Sequence, residues 1–257
     1  MKKIITVLAL VTLIIGHESL TSDESNSLET SVDYKVSTDQ RIEEIVTDLL
    51  DFFPEGTKVN LKSSPMEGLY AVHIGSQVFY ISDDGKFLLS GDIYSTQTSE
   101  NITDNERKIA RIEFLNELDS SSMIIFSPIE YQHSVTIFTD IDCGYCRKFH
   151  QQIDAVMNKG IQVRYIFFPR SGPDTESWYK AQKVWCNANQ LQAITLAKQG
   201  KSLNSQKCSN DPVQQHYDLG RMFNVQGTPT MVTDAGEIIV GYLSAVDLKA
   251  RLDGKKL

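Results

Sequence analysis

The residues best suited to chemistry are two thiols three positions apart, in Cys143-Gly144-Tyr145-Cys146. They follow a β-like run, Phe138-Thr139-Asp140-Ile141-Asp142, and pass directly into helical periodicity through Arg147, Lys148, Phe149 and His150. That order places the first thiol where a strand hands over to a helix. Unpaired backbone N–H groups at a helix start favour an anion, so Cys143 is expected to ionise more readily than a free cysteine. Cys146, one turn on, is in reach to close a disulfide with it. Disulfide exchange asks for an attacking thiolate, a second thiol nearby and a surface that docks an extended substrate. Cys143 is the expected nucleophile and Cys146 the resolving thiol, with Gly144 and Tyr145 tuning thiolate against disulfide. Arg147 and Lys148 favour a thiolate, whereas Asp140 and Asp142 oppose it. Asp142, directly before Cys143, is expected to raise its pKa.

A second feature is Val225-Gln226-Gly227-Thr228-Pro229-Thr230. Thr228-Pro229 precedes an apolar strand, where a proline that avoids a ladder position is natural. A cis bond there would turn the Thr228 backbone outward to pair with a substrate strand, although trans is the commoner form of an X-Pro bond.

These residues need a scaffold, and the rest of the chain offers one. Met123–Phe126 and Val135–Thr139 read as strands, followed by the C-x-x-C turn and a helix to about Asn158. Ile161–Phe168 reads as a further strand, and 174–223 as mainly helical, with Trp178 and Trp185 as core residues. Thr230–Thr233 and Ile238–Val240 form a hairpin around Asp234-Ala235-Gly236, and Ala245–Leu252 a closing helix. The order β-α-β, helical block, β-β-α with C-x-x-C after the second strand is a thioredoxin layout with an inserted helical subdomain.

Upstream, Ile42, Ile45, Val46, Leu49, Leu50 and Phe53 recur at helical spacing, and Pro54-Glu55-Gly56 stops the run. Tyr70, Val72 and Ile74, then Val78 and Tyr80, alternate as in strands. Asp83-Asp84-Gly85 makes a turn, and Lys86–Tyr94 reads as another strand. This first unit has a thin core and calls for a partner to cover a face or an edge. Thr103 with Glu106 suggests a capping box, and Ile109, Ile112, Leu115 and Leu118 continue a helix to about Asp119 that joins the halves.

Met1-Lys2-Lys3 ahead of the apolar run Ile4–Gly16 has the layout of a secretory signal. In an oxidising compartment the four cysteines, Cys143, Cys146, Cys186 and Cys208, suggest two pairs. Zinc is disfavoured, because Cys186 and Cys208 do not repeat the C-x-x-C and neither His133 nor His150 has finger spacing. The net charge of −8 argues against nucleic acid as a partner. No metal and no cofactor is expected.

The run Phe138 to Cys146, Gly227-Thr228-Pro229 and the later cysteine pair together resemble the DsbC family of periplasmic disulfide isomerases. The likeness extends through Val163-Arg164-Tyr165, Phe168-Pro169-Arg170, Val184-Trp185-Cys186 and, in the first half, Tyr80-Ile81-Ser82-Asp83-Asp84-Gly85-Lys86. The resemblance implies an α/β, thioredoxin-like catalytic domain with an inserted helical subdomain. Ahead of it come a small α+β (cystatin-like) dimerisation domain and a linker helix, in a V-shaped homodimer. It also implies a cis bond at Pro229, a structural Cys186–Cys208 disulfide, and reduction of Cys143/Cys146 by a membrane electron donor of the DsbD type.

The expected organisation is a signal peptide (1–19), an N-terminal dimerisation domain (20–98), a linker helix (99–120) and a catalytic domain (121–257). The expected activity is periplasmic thiol:disulfide interchange that reshuffles non-native disulfides in misfolded exported proteins. The rivals are DsbG-like protection of single thiols and a holdase chaperone with secondary redox activity.

Overall fold

The computed structural model describes Val46, Thr47, Leu50 and residues 58–204 and 208–255. The expected signal peptide lies outside the described residues, as does most of the helix read from Arg41 to Phe53. Val46, Thr47 and Leu50 of that helix are helical.

Four antiparallel strands open the described chain: β1 (Val59–Ser63), β2 (Leu69–Ile74), β3 (Gln77–Ser82) and β4 (Leu88–Leu89), in the order β1-β2-β3-β4. Gly75 has a φ of 58° in the two-residue turn between β2 and β3, where Ile74 pairs with Gln77. A left-handed conformation at that place is easiest for glycine and matches the twist of the hairpin. Alternation splits the side chains between two faces. Val72, Ile74 and Ile81 pack with Val46 and Leu50 on one face, and Ala71, Val78 and Tyr80 cluster on the other. β1 was not anticipated, because Val59-Asn60-Leu61-Lys62-Ser63 carries only two apolar residues. The strand expected over Lys86–Tyr94 shrinks to Leu88–Leu89, with Tyr94 making a lone bridge to Asn101.

Helix α1 (Ile102–Glu117) begins on Asn101, whose side chain accepts a hydrogen bond from the Asp104 N–H at 2.9 Å. The expected cap, Thr103, is instead buried inside the helix. Its hydroxyl lies 2.6 Å from the Tyr80 hydroxyl and accepts from the Ile93 N–H at 2.9 Å. That side of α1 therefore faces the first sheet. Its other side enters the second core, where Phe114 meets Phe223 edge-on with ring centroids 5.4 Å apart, and Leu115 packs with Phe138. Arg111 Nη1 donates to the Gly236 carbonyl at 2.8 Å. The helix that joins the halves is packed on both of them.

The second sheet contains β5 (Ile124–Phe126), β6 (His133–Thr139), β7 (Ile161–Phe167), β8 (Thr230–Thr233) and β9 (Ile238–Val240), in the order β5-β7-β6-β8-β9. β6 and β7 run parallel, and the other pairings are antiparallel. Neighbouring residues on β6, Ile137 and Phe138, are both wholly buried, but in different cores. A strand covered on both faces needs such a continuous apolar run. Helices α2 (Gly144–His150) and α3 (Ile153–Met157) connect β6 to β7. One helix to Asn158 was expected; the break falls at Gln151-Gln152. The Gln152 side chain accepts from the Ala245 N–H and donates to the Leu243 carbonyl, each at 2.9 Å, tying the break to the start of α7 (Ala245–Leu252). Between β7 and β8 lie α4 (Glu176–Trp185), α5 (Gln190–Lys198) and α6 (Val213–Met222), the inserted helical block.

Candidate active site

The two central strands carry the site. β6 ends at Thr139, a short turn follows, and α2 starts with Cys143 as its N-cap. Cys143 and Cys146 are free thiols and both are buried. The Cys143 thiol donates to the Thr228 carbonyl at 3.2 Å, directly before the cis Thr228–Pro229 bond. The sequence pattern left that carbonyl free for a substrate; here it is engaged by the thiol.

A hydrogen bond from Cys146 is the main influence that lowers the Cys143 pKa, to about 5. Burial opposes it, while Thr228 and the backbone N–H groups of Cys146 and Tyr145 add to the lowering. Cys146 moves the other way. Burial, then the hydrogen bond it gives to Cys143, push its thiol well above the usual range. At neutral pH the geometry therefore holds one thiolate and one thiol, which are the attacking and waiting partners of an exchange reaction.

Asp142 is not among the main influences on the Cys143 pKa. Its carboxylate pairs with Arg147 Nη2 at 2.7 Å and Lys180 Nζ at 2.9 Å, so its charge is largely answered locally. Asp140 is buried and likewise engaged. It accepts from the Ser177 hydroxyl at 2.5 Å and from the backbone N–H groups of Asp142 at 2.8 Å and Arg170 at 3.0 Å. Burial works against its charge, but these hydrogen bonds and Arg170 outweigh it and hold the carboxyl below its ordinary range. The effect is to fix the turn that presents Cys143.

Gly144 is exposed, and a methyl group added there would meet open space. Tyr145 is 63% exposed, and its ring stacks near Tyr242 at 6.5 Å, with Lys148 Nζ 4.4 Å from the centre of the Tyr242 ring. Thr228 and Pro229 are both buried. The structure thus gathers Cys143, Cys146 and Thr228 by direct contact, with Gly144, Tyr145 and Pro229 adjoining them in the chain. Cys186 and Cys208 form a disulfide with their Cα atoms 5.6 Å apart, joining the end of α4 to the approach to α6. Sequence reasoning missed Lys180, Ser177, Tyr242 and Lys198, all contributed by distant segments. Lysine at a buried position is rare enough that no pattern would have suggested Lys198.

Residues 126–256 match the family described as a thioredoxin-like domain, and residues 36–104 match the disulfide bond isomerase protein N-terminal domain. The thiol:disulfide interchange protein DsbC of Dickeya dadantii is 37% identical over 198 residues, covering 76% of this chain and 81% of that protein.

The chain belongs to the DsbC family.

Two further relatives of that name point the same way. The Haemophilus influenzae protein is 35% identical over 197 residues, covering 77% of this chain and 84% of its own length. The Escherichia coli K12 protein is 34% identical over 201 residues, covering 76% and 84%. In this chain a thioredoxin-like domain follows a DsbC-type N-terminal domain.

Proposed function

We propose that this DsbC-family chain is a thiol:disulfide interchange enzyme that isomerises non-native disulfides in exported proteins. The observation that carries the reading is the Cys143 thiol at the start of α2, hydrogen-bonded to Cys146 and to the Thr228 carbonyl and acidified to about 5. The Cys143 thiolate attacks one sulfur of a substrate disulfide. A Cys143–substrate S–S bond forms, the substrate S–S bond breaks, and the released substrate sulfur leaves as thiolate and takes a proton. That thiol, or another in the substrate, then attacks the mixed disulfide and expels Cys143 as thiolate, with no net oxidation. When the substrate stalls, Cys146 loses its proton and attacks Cys143. The Cys143–Cys146 disulfide forms and the substrate leaves reduced, so two electrons must be returned from outside.

In this reading Gly144, Tyr145, Thr228 and Pro229 shape the surface that receives the substrate, and the Cys186–Cys208 disulfide is structural. The N-terminal domain (20–98) pairs two copies, 99–120 joins it to the catalytic domain (121–257), and 1–19 directs export to the periplasm. A membrane electron donor of the DsbD type returns the electrons. The family membership and the exposed edge strand β4, Leu88–Leu89, with exposed Phe87 before it, support the homodimer. The test is reactivation of scrambled ribonuclease by the reduced protein and by its Cys143→Ala variant. Activity in the first and background in the second is expected. Equal reactivation by both would overturn the assignment.

A further inference from the structure

Among the described residues, Lys198 is the buried lysine beside the thiols, and the reaction above leaves it without a task. It closes α5, is 4% exposed, and lies in the inserted helical block rather than in the strand–turn–helix that bears the cysteines. Its Nζ lies 2.8 Å from the Thr139 hydroxyl and 3.4 Å from the Asp140 carbonyl, and 5.5 Å from the centre of the Tyr165 ring. Among the described residues it forms no ion pair with a carboxylate. A buried ammonium without a counter-ion is costly, and such a lysine tends to give up its proton unless a negative partner arises. The Thr139 hydroxyl is also among the groups that lower the Cys146 pKa, by favouring its thiolate, so one hydroxyl links the lysine and the resolving thiol.

We propose that Lys198, acting through the Thr139 hydroxyl, is the proton acceptor and donor for Cys146. The inference rests on the assignment of Cys143 as nucleophile and Cys146 as resolving thiol. In the forward step the Cys146 S–H proton passes to the Thr139 oxygen as the Thr139 hydroxyl proton passes to the neutral Lys198 amine. The Cys146 thiolate then attacks the Cys143 sulfur of the mixed disulfide. The Cys143–Cys146 bond forms, the Cys143–substrate bond breaks, and the substrate sulfur leaves with the electron pair. Lys198 is left as an ammonium and returns its proton by the same path when the disulfide is reduced again. Thr139 suits the role because a hydroxyl both donates and accepts, so it serves either direction without moving.

The electrostatics agree. Burial lowers the Lys198 pKa, while Cys146, Asp140 and Cys143 raise it and Arg147 lowers it. Lys198 is in turn among the groups that lower the Cys146 pKa. From α2 the lysine is faced by Cys143, Cys146, Arg147 and His150, from the turn by Asp140, and from β7 by Tyr165. Burial, then the nearby lysine, depress the His150 pKa to about 3, and its ring nitrogens lie 3.0 Å from the Tyr165 hydroxyl and 2.9 Å from the Thr195 hydroxyl. It therefore stays neutral at working pH and does not compete for the proton.

The test uses the full reduced protein and a disulfide reagent whose leaving thiol is coloured, such as dithiobis(nitrobenzoate). The first equivalent of coloured thiol reports attack by Cys143, and the second reports displacement by Cys146. Lys198→Met keeps the length and suits burial, and Thr139→Val removes the bridging hydroxyl alone. Both variants are expected to keep the first phase within about threefold and to slow the second at least about tenfold near neutral pH. The pH at which the second phase reaches half its limit should rise in both. A second phase in Lys198→Met with the wild-type rate and pH profile would overturn the proton role. If the wild-type protein itself lacks a first phase that Cys143→Ala removes, the assignment of the cysteines fails instead. The two failures are thereby distinguished.

Discussion

The two cysteine pairs of this chain share a domain and a chemistry, yet they sit in opposite surroundings. Cys143 and Cys146 are three residues apart at the start of α2 and remain thiols. Cys186 and Cys208 are 22 positions apart, outside any common helix, and are joined. The Cys143 sulfur is met by hydrogen-bond donors: Cys146 and the N–H groups of Tyr145 and Cys146 favour its thiolate, and the protonated thiol donates instead to the Thr228 carbonyl. Around the second pair, the Cys208 N–H approaches the Cys186 sulfur at 3.1 Å. What separates a working thiol from a staple is the set of polar groups that stabilise its thiolate, together with a neighbour placed to exchange with it.

The sharpest way to break this contrast is to remove one member of each pair. Cys143→Ala should lower ribonuclease reactivation to background, whereas the double variant Cys186→Ala/Cys208→Ala should keep the alkylation profile of Cys143. The double variant should instead unfold more easily, since closing a loop of this length stabilises by about 3 kcal/mol; urea melts of both variants would check it. Comparable losses of chemistry from the two changes would erase the distinction.

A smaller effect is expected where the halves meet. Gly236 has a φ of 72°, and a Cβ there would run into the Lys108 backbone of α1. Gly236→Ala should therefore cost about 1–3 kcal/mol in chemical denaturation. The Arg111 hydrogen bond to the Gly236 carbonyl would be disturbed with it. An unchanged melt would mean that α1 does not hold the β8–β9 turn in solution.

The smallest effect concerns Asp142. Because Arg147 and Lys180 already answer its charge, Asp142→Asn should raise the alkylation rate of Cys143 at pH 5 by less than about twofold. A large increase would show that the carboxylate acts on the thiolate after all.

Much of the catalytic half is legible in the sequence, for reasons these residues make plain. β8, β9 and α7 coincide with the expected Thr230–Thr233, Ile238–Val240 and Ala245–Leu252 because a Gly-containing turn and clean periodicity bound each of them. The fold class follows from the order of elements around the C-x-x-C. The errors fall where local pattern and tertiary packing disagree. Thr103 looked like a cap, but the Tyr80 hydroxyl draws it into the interface, and Asn101 takes its place. The break between α2 and α3 is set by the hydrogen bonds of Gln152 to Leu243 and Ala245, about ninety residues away. In the site, the thiols and Thr228-Pro229 declare themselves by motif, while Lys180, Ser177 and Lys198 reach it from the helical block and leave no local signature.

The pH behaviour of Cys143 links these points. Its folded pKa is depressed, so the thiolate's stabilising contribution to the reduced fold is full above the unfolded thiol's value of about 8.5. That contribution shrinks as pH falls and is gone below about 5. The same ionisation governs reactivity. The measurement to make is the rate of iodoacetamide alkylation of Cys143 in the reduced protein across pH 3 to 10, with the modified residue located by peptide mass. A single-thiol titration with its midpoint near 5, on Cys143 and with Cys146 unmodified, is the predicted result. A midpoint near that of a free cysteine, or alkylation of Cys146 first, would contradict the claim that this turn holds Cys143 as the nucleophile.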